Sequence, residues 1–173
     1  MITIISGTNR PGSNSLKLAE YYRKRLAEQG ADSTVLSLTD LPSDFITADM
    51  FGKRSPAFTP VQEIITETDK FVFIIPEYNG SFPGILKTFV DACKYPDSFF
   101  NKKAALVGHS TGKYGNIRGV EHFTGVCNYL RLHVLPLRIH IPHILHVFDA
   151  DNHLFQPDTL KFTDEQIAEF IAF

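Results

Sequence analysis

Residues 6–15 read Ser6-Gly7-Thr8-Asn9-Arg10-Pro11-Gly12-Ser13-Asn14-Ser15: two glycines, several hydroxyl and amide side chains, one arginine and no carboxylate before Glu20. This composition suits a phosphate group, which needs backbone N–H groups, short hydroxyl donors, a cation and the N-terminus of a helix. Two named phosphate loops fail on their residues. The pattern G-x-x-x-x-G-K-[ST] fits Gly7 and Gly12, but Ser13 and Asn14 stand where Lys and Ser or Thr are required. The dinucleotide pattern G-x-G-x-x-G is absent, because nothing between Gly7 and Gly12 is glycine. A cradle for a mononucleotide phosphate remains. A plain polar turn, with Ser13 only capping a helix, would leave Arg10 unexplained.

A second segment reads Pro76-Glu77-Tyr78-Asn79-Gly80-Ser81-Phe82-Pro83-Gly84. Two prolines and two glycines fix a tight backbone there. Tyr78 offers a flat face to a ring system, and N–H groups around Asn79 and Gly80 can reach the edge of that ring. Elsewhere the chemistry is sparse. The histidines have no G-x-S-x-G partner, so no triad and no catalytic side chain is assigned. His140, His143 and His146 follow at i, i+3 and i+6, flanked by His133 and His153. Pro142 interrupts the helix that would align them and no acid lies among them, so no metal site is expected.

These segments need rigid supports, and the hydrophobic pattern supplies them. Residues 2–6 form a β-branched run that stops at Gly7. Residues 13–29 read as a helix, with Leu16, Leu18, Ala19, Tyr22 and Leu26 on one face and Lys17, Glu20, Arg23 and Lys24 polar. Gly30 follows as a C-cap. A strand is expected over 33–38, a long loop over 41–60 and a short helix over 61–68. Residues 71–75 are Phe, Val, Phe, Ile and Ile, which suits a central parallel strand covered on both faces. A helix over 84–93, a strand over 104–108, a helix over 119–130 and a last strand over 134–137 follow. A terminal helix is expected over 163–172, with Thr163 as N-cap and Gln166 at the capping-box position. This alternation predicts one α/β domain, residues 1–173, with a doubly wound parallel sheet. Ligands of such sheets sit outside the C-terminal strand ends, so the loops after Ser6, Ile75 and Gly108 carry the most information.

Together the two segments resemble the NAD(P)H-dependent FMN reductase family, which has the flavodoxin-like fold. Its opening loop follows G-[ST]-x-R-x-x-S-x-N, and its second loop follows P-E-Y-N-[GH]-[SG]-x-P-[GA]-x-L-K-x-x-[ILFV]-D. The second match, from Pro76 to Asp91, is nearly complete. The resemblance implies a five-stranded sheet of order 2-1-3-4-5. It implies FMN, with the phosphate held by Thr8, Arg10, Ser13, Asn14 and Ser15 and the isoalloxazine packed on Pro76, Glu77, Tyr78, Asn79 and Gly80. It implies NADPH or NADH as co-substrate, with electrons passing on to a flavin, quinone, azo dye or similar acceptor. A third loop, Ser110-Thr111-Gly112-Lys113-Tyr114-Gly115-Asn116, is similar to the family's S-x-G-x-x-G-G. Ser110, Gly112 and Gly115 fit and are expected to meet the flavin through backbone groups; Asn116 replaces the second glycine. Lys113 and Arg118 are candidates for meeting the phosphates of the nicotinamide. Lys87 and Asp91, at i and i+4, read as an ion pair that fixes a helix.

Composition narrows the classes of function. The net charge of −2 argues against a general nucleic-acid binder, and no apolar run is long enough to span a membrane. Electron-carrying flavodoxins are usually strongly acidic, so a flavin-binding electron carrier without nicotinamide turnover is the second reading. A nucleotide-binding regulator is the third. Cys93 and Cys127 lie in apolar stretches and read as buried free thiols, which fits a cytoplasmic protein. The resemblance implies a homodimer or homotetramer. The aromatic run from Tyr95 to Phe100 is either part of such an interface or packing beneath the fourth strand.

Overall fold

The computed structural model describes residues 1–173. In chain order the elements are β1 (Ile2–Ser6), α1 (Asn14–Glu28), β2 (Ser33–Ser37), α2 (Phe45–Ala48), α3 (Thr59–Glu67), β3 (Lys70–Pro76), α4 (Gly84–Ala92), β4 (Lys103–His109), α5 (Ile117–Tyr129), β5 (His133–Val134), β6 (Ile139–Ile141) and α6 (Pro157–Ala172). The strands pair in parallel in the order β2-β1-β3-β4-β5, and β6 continues along the same β4. The alternation predicted a doubly wound parallel sheet, and this is the flavodoxin-like order that the family resemblance implies.

β3 shows why the sheet is central. Every residue from Phe71 to Ile75 is buried, and alternate side chains enter different layers. Phe71, Phe73 and Ile75 join the layer built with Ile65, Phe89 and Phe123 of α3, α4 and α5. Val72 and Ile74 join the layer built with Leu18, Tyr22 and Leu26 of α1 and Phe170 of α6. The rings of Phe73 and Phe123 meet edge-on with centroids 4.9 Å apart. Truncating such a ring to alanine costs about 3–5 kcal/mol. Cys93 and Cys127 are buried free thiols, and burial pushes the Cys127 thiol up to about 12.

Three expectations are corrected. The last strand is not a run over 134–137 but two short pieces. Leu135 N still reaches Ala104 O at 2.8 Å, but Pro136 has no N–H to give, and pairing resumes only at Ile139. The loop over 41–60 contains α2, whose Phe45 packs on Phe58 with ring centroids 5.4 Å apart. The terminal helix starts two turns before Thr163, at Pro157 after the N-cap Gln156. Thr163 lies inside it, donating to Thr159 O at 2.7 Å and meeting Tyr21 OH at 2.8 Å. Gln166 is likewise no capping-box residue: it is fully buried and ties α6 to Leu106 O and Leu137 O. The aromatic run after α4 divides. Phe99 is buried against Phe71, while Tyr95 stays exposed beside Phe100.

Candidate active site

Because β1, β3 and β4 run parallel, the loops after Ser6, Pro76 and His109 leave the same end of the sheet. The register places Ser6 beside Ile74 and Pro76 beside His109. A cleft of about 520 Å³ opens among these loops. Nine of the residues singled out in the sequence line it: Thr8, Arg10, Ser13, Asn14, Ser15, Pro76, Glu77, Tyr78 and Ser110. Asn79, Gly80, Gly112 and Gly115 do not. His109, Thr111, Ile144 and Leu145 line it without having been marked by a motif.

The first loop is organised around the start of α1. Ser13 is the N-cap: its Oγ accepts from Leu16 N at 3.2 Å, and its carbonyl also accepts from Leu16 and Lys17. The amides of Asn14 and Ser15 have no acceptor within the protein, as helix geometry dictates. No acidic side chain occupies the first turn. Arg10 is exposed and pairs with no carboxylate. A positive helix end, free N–H groups and an unpaired guanidinium together form a site for an anion.

Two cross-loop bonds hold this arrangement. Thr8 Oγ1 and Tyr78 OH lie 2.7 Å apart, joining the first loop to the second. Ser15 Oγ and His109 Nε2 lie 2.8 Å apart, joining the first loop to the end of β4. His109 is 4 % exposed, and burial drives its pKa down to about 3, so the ring is neutral. Ser15 is fully buried as well.

The second loop is a two-residue turn. Tyr78 and Ser81 exchange backbone hydrogen bonds at 2.9 and 3.1 Å, with Asn79 and Gly80 at φ of 52° and 77°. Two positive φ values in succession define a type I′ turn, for which Asn-Gly is the favoured pair. The Glu77 and Tyr78 amides are committed to His109 O and Ser81 O, whereas those of Asn79 and Gly80 have no acceptor. α5 braces the turn from behind. Ser81 Oγ meets His122 Nδ1 at 3.0 Å, and the Arg118 guanidinium lies beside Gly80. Lys87 and Asp91 form the expected ion pair at 2.7 Å.

In the third loop, Ser110 Oγ donates to Gly112 O and accepts from Gly115 N, both at 3.0 Å. Gly115 has φ of 56°, and a Cβ there would lie 2.6 Å from Ile141 N, so the glycine packs against β6 rather than facing the cleft. Asn116 keeps the left-handed conformation that a second glycine would supply, at φ of 64°. Its side chain then caps α5 at Gly119 N and donates to Ile75 O. The amides of Thr111, Gly112 and Lys113 remain without acceptors. Lys113 lies over the Tyr114 ring rather than in the cleft.

A larger groove of about 700 Å³ runs between α1 and α6. Its lining includes Leu16, Tyr21, Leu154 and Leu160 with Lys17, Lys24 and Arg25, and Arg25 is already paired with Asp164 at 2.8 Å. Acidic side chains, Glu20, Glu28 and Asp164, line it as well, whereas the smaller cleft has only Glu77. His140, His143 and His146 do not form a ligand set. The one trio whose ligand atoms lie within 4.8 Å of one another is Asp149, Asp151 and His153, all exposed.

Residues 1–146 match the protein family described as NADPH-dependent FMN reductase. The chain belongs to the NADPH-dependent FMN reductase family. It is 29% identical to an NAD(P)H-dependent FMN reductase of Pseudomonas aeruginosa over 94% of this chain and 89% of that one. It is 30% identical to a 2-hydroxy-1,4-benzoquinone reductase of Burkholderia over 62% of this chain and 61% of the other. In structure it superposes on the flavoenzyme NAD(P)H:(acceptor) oxidoreductase of Paracoccus denitrificans with a TM-score of 0.82 and 24% identity, covering 99% and 94% of the two chains. As a member of this family the chain is an NAD(P)H-dependent flavin oxidoreductase with FMN as cofactor. The cleft fits that cofactor: the amides of Asn14 and Ser15 and the cation of Arg10 match a phosphate, and the Pro76–Tyr78 run matches a flat ring. No helix is long and apolar enough to cross a membrane.

Proposed function

We propose that FMN lies in the cleft at the ends of β1, β3 and β4, and that NADPH or NADH and then an oxidised acceptor take turns over its exposed face. One observation carries this reading. A helix start with no acid in its first turn and an unpaired Arg10 meet a rigid turn whose Asn79 and Gly80 amides are free. The chemistry the cofactor supplies is acceptance of a hydride from the nicotinamide and release of two electrons to an acceptor.

The protein's part is binding and orientation. Arg10 supplies the charge that a phosphate needs, and the Asn14 and Ser15 amides supply directed donors. Thr8 is held by Tyr78 OH, which leaves the tyrosine ring standing as one wall of the ring site. Asn79 and Gly80 offer amides to the ring edge from behind that wall. Ser110 works by folding the third loop, so that Thr111 and Gly112 can present backbone N–H groups. The exposed side chains of Tyr114, Ile117 and Leu145 give planar, weakly polar acceptors an apolar surface, which favours quinones, azo compounds and flavins. No side chain is required as acid, base or nucleophile.

Exposed Tyr95 and the apolar rim of the cleft support assembly as a homodimer, and two unpaired thiols support residence in the cytoplasm. The test is reconstitution. FMN fluorescence is quenched on titration with the protein, and the loaded protein oxidises NADPH or NADH in the presence of a quinone. A protein that leaves FMN fluorescence unchanged overturns the reading; FMN binding without nicotinamide oxidation would make it an electron carrier instead.

A further inference from the structure

His109 closes β4 against the cleft, yet nothing in the flavin chemistry calls for an imidazole there. The ring is nearly inaccessible at 4 % exposure. Nε2 lies 2.8 Å from Ser15 Oγ, and Nδ1 is buried with no partner. Ser15 is itself unusual. It occupies the last position of the family's opening pattern, G-[ST]-x-R-x-x-S-x-N, where an asparagine would carry its own amide donor. The serine side chain is shorter, is fully buried, and sits in the first turn of α1 beside the free amides.

The proton on the imidazole can sit on either nitrogen, and the two arrangements differ in consequence. With the proton on Nδ1, a donor is buried unpaired and the serine spends its only hydrogen on Nε2. With the proton on Nε2, the histidine donates to Ser15 Oγ and the unpaired Nδ1 is merely an acceptor. Orphaned buried N–H groups are rarer in proteins than under-satisfied acceptors, which favours the second arrangement. The serine hydroxyl is then left with a proton to give.

We propose that His109 is a positioning residue for the cofactor phosphate: by donating from Nε2 to Ser15 Oγ, it frees the serine's own proton for a phosphate oxygen. This rests on the reading of the cleft as the FMN site. Histidine and serine together do what one asparagine would do alone, and they do it without adding charge beside Arg10.

The test compares two flavins that differ in the phosphate. FMN and riboflavin affinities of the apoprotein are measured by fluorescence quenching for wild type, His109→Gln, His109→Leu and Ser15→Ala. Loss of a hydrogen bond to a charged group weakens binding roughly tenfold or more. His109→Leu and Ser15→Ala are expected to lose that factor for FMN and keep their riboflavin affinity, whereas His109→Gln, whose Nε2 can still donate, stays near wild type for both. The double variant should lose no more than either single change. A role confined to holding the fold would lower both flavins alike, and that outcome overturns the proposal, as does an unchanged FMN affinity in Ser15→Ala. If His109→Leu does not fold, the FMN-to-riboflavin ratio of Ser15→Ala decides alone: a fall supports the proposal and a constant ratio sinks it. Failure of wild type to bind FMN would instead remove the reading of the cleft itself.

Discussion

The two ends of the sheet treat helix termini in opposite ways. At the end where the strands begin, the protein's own lysines meet the carbonyl ends of helices. Lys70 Nζ donates to Phe170 O and Ile171 O at 3.1 and 2.9 Å, Lys103 Nζ donates to Phe173 O, and Lys102 Nζ donates to Ile65 O and Thr66 O. The last turns of α6 and α3 are thereby satisfied, at the cost of desolvating two amines: burial lowers the pKa of both Lys70 and Lys102. At the end where the strands finish, α1, α4 and α5 start with no acid in the first turn. One end is electrically complete within the chain. The other waits for a negative group from outside, and only there does the protein leave a cation, Arg10, unpaired beside free amides. Function sits where the internal bookkeeping of charge is left open.

That contrast can be attacked at several points. Reversing the charge in Arg10→Glu should weaken FMN binding by about 3 kcal/mol or more, a hundredfold or more, with riboflavin binding and thermal midpoint nearly unchanged. Equal affinity of variant and wild type for FMN would break the contrast outright. Gly115→Ala tests whether the third loop is a brace. A Cβ against the Ile141 backbone at positive φ should cost about 2–3 kcal/mol of stability, read as a lower denaturation midpoint. Full stability in that variant would remove the bracing role.

Acid probes the cleft from within. Burial holds the folded pKa of His109 at about 3, below the ordinary imidazole value of 6.5. Between those values the unfolded chain binds a proton that the folded chain refuses, so stability rises with pH and falls on acidification. Half-buried His140, lowered chiefly by burial, acts in the same direction. Between about pH 7 and about pH 5 the wild type should lose about 1–2 kcal/mol more than His109→Gln, measured by urea unfolding at both pH values. Parallel losses would show that the imidazole is not held neutral. The smallest effect belongs to the closed end: Lys103→Met should lower stability by about 0.5 kcal/mol through the helix end and leave flavin affinity untouched. A change in flavin binding there would blur the distinction between the ends.

Much of this was legible in the chain. Ile2–Ser6, Lys70–Pro76 and Lys103–His109 announce themselves as apolar runs stopped by turn residues, and the two loops that matter are dense in Gly, Pro and hydroxyls. Errors arose where local pattern and tertiary demand diverge. Val134 to Leu137 looks like a strand because it is apolar, but Pro136 cannot donate to the ladder, and the more mixed Ile-His-Ile takes the place instead. Thr163 looks like a cap because it is a hydroxyl before a helical pattern; Pro157 followed by Asp158 was the better signal, since proline suits the first helical position and an acid suits the first turn. His109 carried no signal at all. Its partner lies 94 residues earlier in the chain, and only the parallel register of the sheet brings the two together.

The break at Pro136 has a consequence for how the molecule meets its own kind. A continuous outer strand offers a row of N–H and C=O groups onto which a second copy can add a strand. Here that row is cut into pieces of two and three residues, separated by a proline, and the chain turns away into the His143–His146 corner. The sheet therefore ends with this molecule on that side. Copies that associate there must do so through fitted side-chain surfaces, which have a defined stoichiometry, and not by extending a ladder that has none.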